Sequence, residues 1–182
     1  MKALIVIDML NDFVTGTLAN EERAMKIIPV IQRVINYARK RHDWLVVYSN
    51  DAHLANDREI KIWGKHALAG TWGANVVEAL APVDSEREIV SPKHFYCAFD
   101  GTGLEQIFDQ YAVTEVVLTG QHTHCCVRHT AYGAFTRGYD IKVLSDAVCG
   151  VPGVDQNESL DYLKTIYGAE IITSTELSVP VE

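Results

Sequence analysis

The chain has 182 residues, with 16 lysines and arginines against 24 aspartates and glutamates, a formal net charge of −8. That is the length of one domain able to bury a full core without metal or disulfide staples, and 48% hydrophobic with 22% charged residues excludes a disordered or collagen-like chain. The acidic balance argues against nucleic acid or an anionic membrane as partner, because both need clustered lysine and arginine, and leaves a small molecule or a protein.

Four cysteines are too few for a disulfide scaffold, and two of them, Cys125 and Cys126, are adjacent. The first apolar run, Ala3 to Ile7, ends at Asp8 and is too short for a signal-peptide core or a membrane span. The expectation is a cytoplasmic protein with reduced thiols.

In chain order, Ala3–Ile7 reads as a buried strand. Glu21–Lys40 reads as a helix, with Met25, Ile28, Ile31, Val34, Ile35 and Ala38 at helical spacing. Pro29 lies inside that pattern and predicts a helix start or a kink there. Trp44–Tyr48 is a second strand, Glu88–Val90 a weaker third, and Gly103–Tyr111 a helix. Glu115–Leu118 is a strand, His124–Arg137 a helix, Ile141–Leu144 a strand, Glu158–Tyr167 a helix and Glu170–Ile172 the last strand. Strands apolar throughout, alternating with helices, predict a single three-layer α/β/α, Rossmann-like domain over residues 1–182, with a mainly parallel sheet of about six strands. The stretch Asn50–Gly73 is the exception: a polar, histidine-bearing loop after the second strand, where such sheets place ligands. The tail Val179-Pro180-Val181-Glu182 is expected to be disordered or docked on a neighbour.

Three strand ends carry chemistry. Asp8 directly follows the first strand, and Lys93 follows Ile89–Val90 and Ser91-Pro92, so both leave the carboxyl edge of the sheet. A lysine beside an aspartate holds it ionised and lowers the pKa of a nearby thiol. The third end is Thr119-Gly120, followed by Gln121-His122-Thr123-His124-Cys125-Cys126. Thr123 reads as an N-cap that places both cysteines in the first helical turn. There the helix dipole favours a thiolate, and free N–H groups can bind an oxyanion. Acid, lysine and thiol at one edge are the parts of covalent catalysis. These arguments do not choose between Cys125 and Cys126.

Ala3-Leu4-Ile5-Val6-Ile7-Asp8-Met9 with Asn11-Asp12-Phe13, Pro92-Lys93 with Phe95-Tyr96-Cys97-Ala98-Phe99, and Thr119-Gly120 with Cys126-Val127 and Thr130-Ala131 together resemble the isochorismatase-like hydrolases, which include nicotinamidases and N-carbamoylsarcosine amidases. The resemblance implies Cys126 as nucleophile, Asp8 as general base and Lys93 as third catalytic member. It also implies a cis Gln121–His122 peptide and an oxyanion hole from the N–H groups of His122 and Cys126. Phe13, Trp63 and Tyr96 fit an apolar substrate wall by their positions near these motifs, while His94, His122, His124 and His129 need no role as ligands.

Asp51-x-His53, with His66 thirteen residues on, is an oxygen and imidazole set suited to a divalent metal such as zinc. Trp63-Gly64-Lys65-His66 with Gly70-Thr71 and Gly73-Ala74 resembles the metal loop of nicotinamidases. That pattern normally has another histidine shortly after the Asp-x-His pair; here Asp57, Glu59 or a water would fill the position. The expected activity is cleavage of the C–N bond of a small amide or N-carbamoyl compound through a cysteine thioester, releasing ammonia. Nicotinamide is favoured by the Asp-x-His and Trp-x-x-His segments, and an N-carbamoyl substrate by the missing histidine. No organic cofactor is expected, and the resemblance implies a homo-oligomer. The rival readings are a phosphoryl-accepting receiver module, suggested by Asp8 and Lys93 at strand ends, and a non-catalytic scaffold on the hydrolase fold.

Overall fold

The structure, a computed structural model, describes residues 1–177; the tail from Val179 lies outside them. Six strands form one sheet: β1 (Lys2–Ile7), β2 (Trp44–Asp51), β3 (Glu88–Lys93), β4 (Glu115–Gln121), β5 (Asp140–Cys149) and β6 (Glu170–Ile172). They lie in the order β3-β2-β1-β4-β5-β6, and every pairing is parallel.

The alternation of β1 shows how the layers form. Ala3, Ile5 and Ile7 face a core shared with Leu104 and Phe108 of α4 (Leu104–Gln110), Ala131 and Ala134 of α5 (Arg128–Thr136), and Leu160 and Leu163 of α6 (Gln156–Tyr167). Leu4 and Val6 face the other core, covered by Ile27, Ile31, Val34 and Ile35 of α2 (Glu21–Arg39). Apolar residues at both parities of the strand are what a sheet covered on both faces requires. Full burial of each Leu or Ile contributes about 1.5–3 kcal/mol.

Several boundaries differ from the sequence reading. Helix α2 runs unbroken through Pro29. Pro29 and Met25 are both exposed, so the carbonyl that the proline leaves unpaired, that of Met25, lies on the water-facing side of the helix. Strand β5 continues past Leu144 to Cys149 through an irregularity opposite Leu118 and Gly120. Its polar residues are satisfied there: Ser145 Oγ donates to Ile172 O, and Asp146 accepts from Ser174 N–H and Oγ–H. The stretch 50–73 is more ordered than a loop: Asn50 and Asp51 belong to β2, Ile60–Trp63 form the short helix α3, and His53 bridges to Leu68.

The chain winds from β1 out to β3, then restarts at β4 on the other side of β1. The switch point of the sheet therefore lies between the carboxyl ends of β1 and β4, where open α/β sheets bind ligands. Asp8 leaves one of those ends and His122–Cys126 the other.

Candidate active site

At the end of β1 the chain turns at Asp8, whose φ of 50° lies in the left-handed region that aspartate tolerates better than most side chains. The Asp8 N–H stays on β2, donating to Ser49 O at 3.0 Å. Asp51 and Lys93 end the paired strands β2 and β3 in register. Lys93, fully buried, donates from Nζ to Asp8 Oδ2 at 2.8 Å and also to Asp51 Oδ1.

Strand β4 ends in a cis Gln121–His122 peptide, followed by one π-helical turn, Thr123–Val127. The His122 carbonyl accepts from the N–H groups of Cys125 at 2.9 Å and Val127 at 3.2 Å. Turns of this kind often lie at functional sites. Thr123 is not the cap that the sequence suggested: its hydroxyl is buried without a partner, and His122 holds the capping position. Cys126 is buried and Cys125 half-buried. The Cys126 sulfur and carboxylate oxygens of Asp8 and Asp51 all lie within 4.8 Å of one another.

Two carboxylates share one buried ammonium, and the titrations follow from that. Burial, with Asp51 facing it, pushes Asp8 up to about 6 against the pull of Lys93. Asp51 is driven up by burial, but Lys93 and His53 outweigh this and hold it below the ordinary carboxylate value. Burial disfavours the Lys93 charge, yet the two carboxylates keep it firmly protonated. The Cys126 thiol is pushed well above its usual value by its contact with Cys125 and by burial, with Lys93 pulling the other way. The resting site therefore holds a thiol beside a carboxylate. The lysine does pull the thiol down, as the sequence suggested, but the Cys125 contact and burial outweigh it.

Above these groups opens a cavity of about 360 Å³, a volume suited to a small ligand. Phe13, Trp63 and Tyr96 all line it, with Asp51, His66, His122 and Cys126. Trp63 Nε1 donates to the Tyr96 hydroxyl at 3.0 Å, joining two of the aromatic walls. Asp8 and Lys93 do not line the cavity; both are buried away from it.

The rest of the lining was not assigned to a substrate wall from the sequence, although Glu59 stood as a metal candidate and Cys125 beside the nucleophile. It comprises Thr17–Asn20, Glu59, His124, Cys125 and Val151-Pro152. The short helix α1 (Asn11–Val14) carries Asp12, which fixes the loop at Thr17: Oδ1 accepts from Thr17 N–H and Oγ–H, while Oδ2 accepts from Ala67 N–H beside His66. Gly73 packs on the same carboxylate, which an added Cβ would strike. Buried Gln121 donates to Asp8 O and Phe13 O at 3.3 Å each and accepts from Asn20, which in turn donates to Gly150 O. A strand end read only to Leu144 hid the approach of Val151. A residue before the long helix with no motif of its own hid Asn20.

One side of the cavity gathers Asp51, His53, Glu59 and His66, all buried, with potential ligand atoms within 4.8 Å of one another. Of the two carboxylates the sequence left open, Glu59 joins this group and Asp57 lies behind His53. The residues fit a divalent cation on three counts. His66 Nδ1 donates to Gly64 O at 2.7 Å, which leaves Nε2 as its ligand atom. His53 Nε2 is buried without a hydrogen-bond partner, 3.5 Å from Asp51 and 3.7 Å from Glu59. Glu59 Oε1 is likewise unpartnered, and burial with Asp51 nearby raises Glu59 to about 7.

The fold and its strand-edge cavity define a doubly wound α/β protein of the hydrolase kind, with a thiol and a carboxylate at the sheet's switch point. The match to the Isochorismatase domain spans residues 2–176, and the chain belongs to that family. Its fold is shared with the N-carbamoylsarcosine amidase of Thermoplasma acidophilum, 40% identical over 95% of this chain and 96% of that one, with a TM-score of 0.88. The pyrazinamidase of Pyrococcus horikoshii in complex with zinc is 31% identical over 94% of this chain and 98% of that one, with a TM-score of 0.84. A relative from Arabidopsis thaliana bearing the name probable inactive nicotinamidase is 30% identical over 80% of this chain and 79% of its own. Among the described residues, no helix is long and apolar enough to cross a membrane.

Proposed function

We propose that this isochorismatase-family hydrolase is a cysteine amidohydrolase in which Asp8, Lys93 and Cys126 cleave the C–N bond of a small amide. The observation that carries this reading is the Cys126 thiol within 4.8 Å of an Asp8 carboxylate raised to about 6. A base that titrates just below neutrality is ionised at pH 7 yet able to hold a proton during the reaction.

Cys126 Sγ attacks the carbonyl carbon while its proton passes to Asp8. The oxyanion is received by the backbone N–H groups of His122 and Cys126 at the π-helical turn. Collapse breaks the C–N bond, and Asp8 returns the proton to the departing ammonia, leaving a thioester on Cys126. Asp8 then takes a proton from a water that attacks the thioester, restoring the thiol and releasing the acid. Lys93 stays protonated throughout, holding Asp8 and Asp51 in place and offsetting their charge.

Asp51, His53, Glu59 and His66 would hold a divalent cation, with zinc suited to the two imidazoles. When bound, it would supply Lewis acidity at the cavity wall, towards a substrate heteroatom or a water.

Among the described residues, no lysine or arginine lines the cavity. Its aromatic and aliphatic walls, Phe13, Leu18, Trp63, Tyr96 and Val151, favour an uncharged, flat amide of the nicotinamide kind. The second reading, an N-carbamoyl compound, is favoured by the 40% identity to the Thermoplasma amidase. The carboxylate of N-carbamoylsarcosine would find no lysine or arginine in the lining and would have to turn to the metal group or to backbone N–H groups. A receiver module is disfavoured by the strand order β3-β2-β1-β4-β5-β6, since receivers order their five strands 2-1-3-4-5.

The test is ammonia release from nicotinamide, N-carbamoylsarcosine and simple aliphatic amides, with Cys126→Ala as control. Release that needs Cys126 supports the amidase and names its substrate class. No release from any of them, with and without zinc, would turn the assignment to a non-catalytic scaffold.

A further inference from the structure

Asp57 stands outside both the cavity lining and the four-residue metal group. A single oxygen of its carboxylate, Oδ2, nevertheless meets three nitrogens: Leu54 N–H at 2.9 Å, His53 Nδ1 at 3.2 Å and His94 Nδ1 at 2.9 Å. The Asp57 N–H closes the same turn on Leu54 O at 3.0 Å. We propose that Asp57 is a positioning residue that fixes His53 with its Nε2 towards Asp51 and Glu59, and thereby sets the affinity of the Asp51–His53–Glu59–His66 group for a divalent cation. This rests on the metal reading given above.

An ionised carboxylate only accepts hydrogen bonds, so His53 must present an N–H at Nδ1. With Nδ1 so occupied, Nε2 is the ring atom left to bind a metal. That atom is buried, has no hydrogen-bond partner, and looks onto carboxylate oxygens of Asp51 and Glu59 at 3.5 and 3.7 Å. Two carboxylates facing Nε2 call for positive charge at that point, a proton on the ring or a divalent cation in its place. Asp57 thus orients the ring with Nε2 towards the cation group, and its charge makes the imidazole a better donor to a metal.

His66 reaches the same arrangement through a main-chain carbonyl, that of Gly64. The two imidazoles therefore differ in how they are held: one by backbone, the other by a side chain that can be replaced. His94 shares the Asp57 oxygen but lies on the far side from the cation group, one residue beyond Lys93, with a half-exposed ring. It ties the loop to the end of β3 and makes no hydrogen bond to His53 Nε2.

The experiment is zinc affinity of the full chain, read by competition with a chromophoric chelator. The wild type is compared with Asp57→Ala, Asp57→Asn, His94→Ala and His66→Ala. Asp57→Ala is expected to bind zinc 10–100-fold more weakly, the usual cost of losing such a partner. Asp57→Asn keeps an oxygen acceptor and the shape of the side chain, so its loss should fall in between, and it preserves the test if the alanine variant fails to fold. His94→Ala is expected to stay within about threefold of wild type, since the His53 contact survives. Wild-type affinity in both Asp57 variants overturns the proposal. So does a loss in His94→Ala equal to that in Asp57→Ala, which would show tethering of the loop instead of orientation of His53. Equal, negligible uptake by wild type and His66→Ala would refute the metal reading itself, and this inference with it.

Discussion

The backbone N–H of Asp51 donates to Asp8 Oδ1 at 2.8 Å, so the end of β2 is fastened to the carboxylate that ends β1. Lys93, from β3, then bonds both carboxylates out of water. Three adjacent strands thus terminate in one buried ionic group carrying two negative charges and one positive. Asp51 also belongs to the cluster that suits a metal. The two halves of the proposed site therefore meet in one side chain.

Replacing Lys93 by methionine leaves two carboxylates buried without their cation. Removing one partner of a buried ion pair typically costs about 3–5 kcal/mol. Urea unfolding at pH 7 should show a loss of that size. Turnover should disappear as well, because the unopposed Asp51 charge would drive Asp8 towards its protonated form. A variant as stable as wild type would mean that the ionic group is not closed in solution.

The pH profile of kcat/KM tests the base. Asp8 must be ionised to accept the Cys126 proton, and burial with Asp51 has raised it to about 6. Activity should therefore be full above that value and fall about tenfold per unit below it. Asp8→Asn should lower the rate by roughly 10²–10⁴. An acid limb at the ordinary aspartate value of 3.8 would show that Asp8 is not raised or is not the base.

Gly120 tests the close approach of β4 to β1. Its φ is 104°, and an added Cβ would strike the Ile7 carbonyl. Backbone cannot give way there as a flexible side chain could, and the conformation itself is strained for any other residue. Gly120→Ala should cost roughly 3–5 kcal/mol, large for an added methyl group. Soluble protein with an unchanged unfolding midpoint would contradict this packing.

The sheet was legible wherever the apolar run was unbroken. Ala3–Ile7 was read within a residue of its observed limits because burial on both faces leaves a continuous apolar stretch, and the short edge strand Glu170–Ile172 was marked by its β-branched pair. Strand β5 was cut short at Ser145 and Asp146, whose polarity is absorbed by Ile172 and Ser174, contacts that no local pattern reveals. The site followed the same division. Asp8, Lys93 and the Cys125-Cys126 pair could be placed at strand ends from the chain alone, and the family resemblance singled out Cys126. The choice between Asp57 and Glu59 could not, since it depends on how the turn at Leu54 folds back over His53. Thr123 has the chemistry of a cap, but the π-helical turn moves that position to His122.

His122 joins stability to the character of the cavity. Burial, with His124 beside it, lowers its imidazole to about 4 from 6.5, with Lys93 adding to the effect and Asp51 opposing it. Its ring also packs edge-on against Phe13 at 5.7 Å. The folded protein therefore keeps His122 neutral where the unfolded chain already takes up a proton. Between pH 6.5 and 4 the unfolded state binds more protons, so stability falls as pH falls, and the loss levels off below about 4. At about 1.4 kcal/mol per unit, this residue alone should cost about 2 kcal/mol between pH 7.5 and 5. His122→Gln has no such titration, so the gap in urea midpoint between variant and wild type should change with pH by that amount. Parallel curves for the two proteins would show that the ring is not held neutral. The same neutrality matters for binding: uncharged at pH 7, His122 offers no charge of its own to a substrate carboxylate.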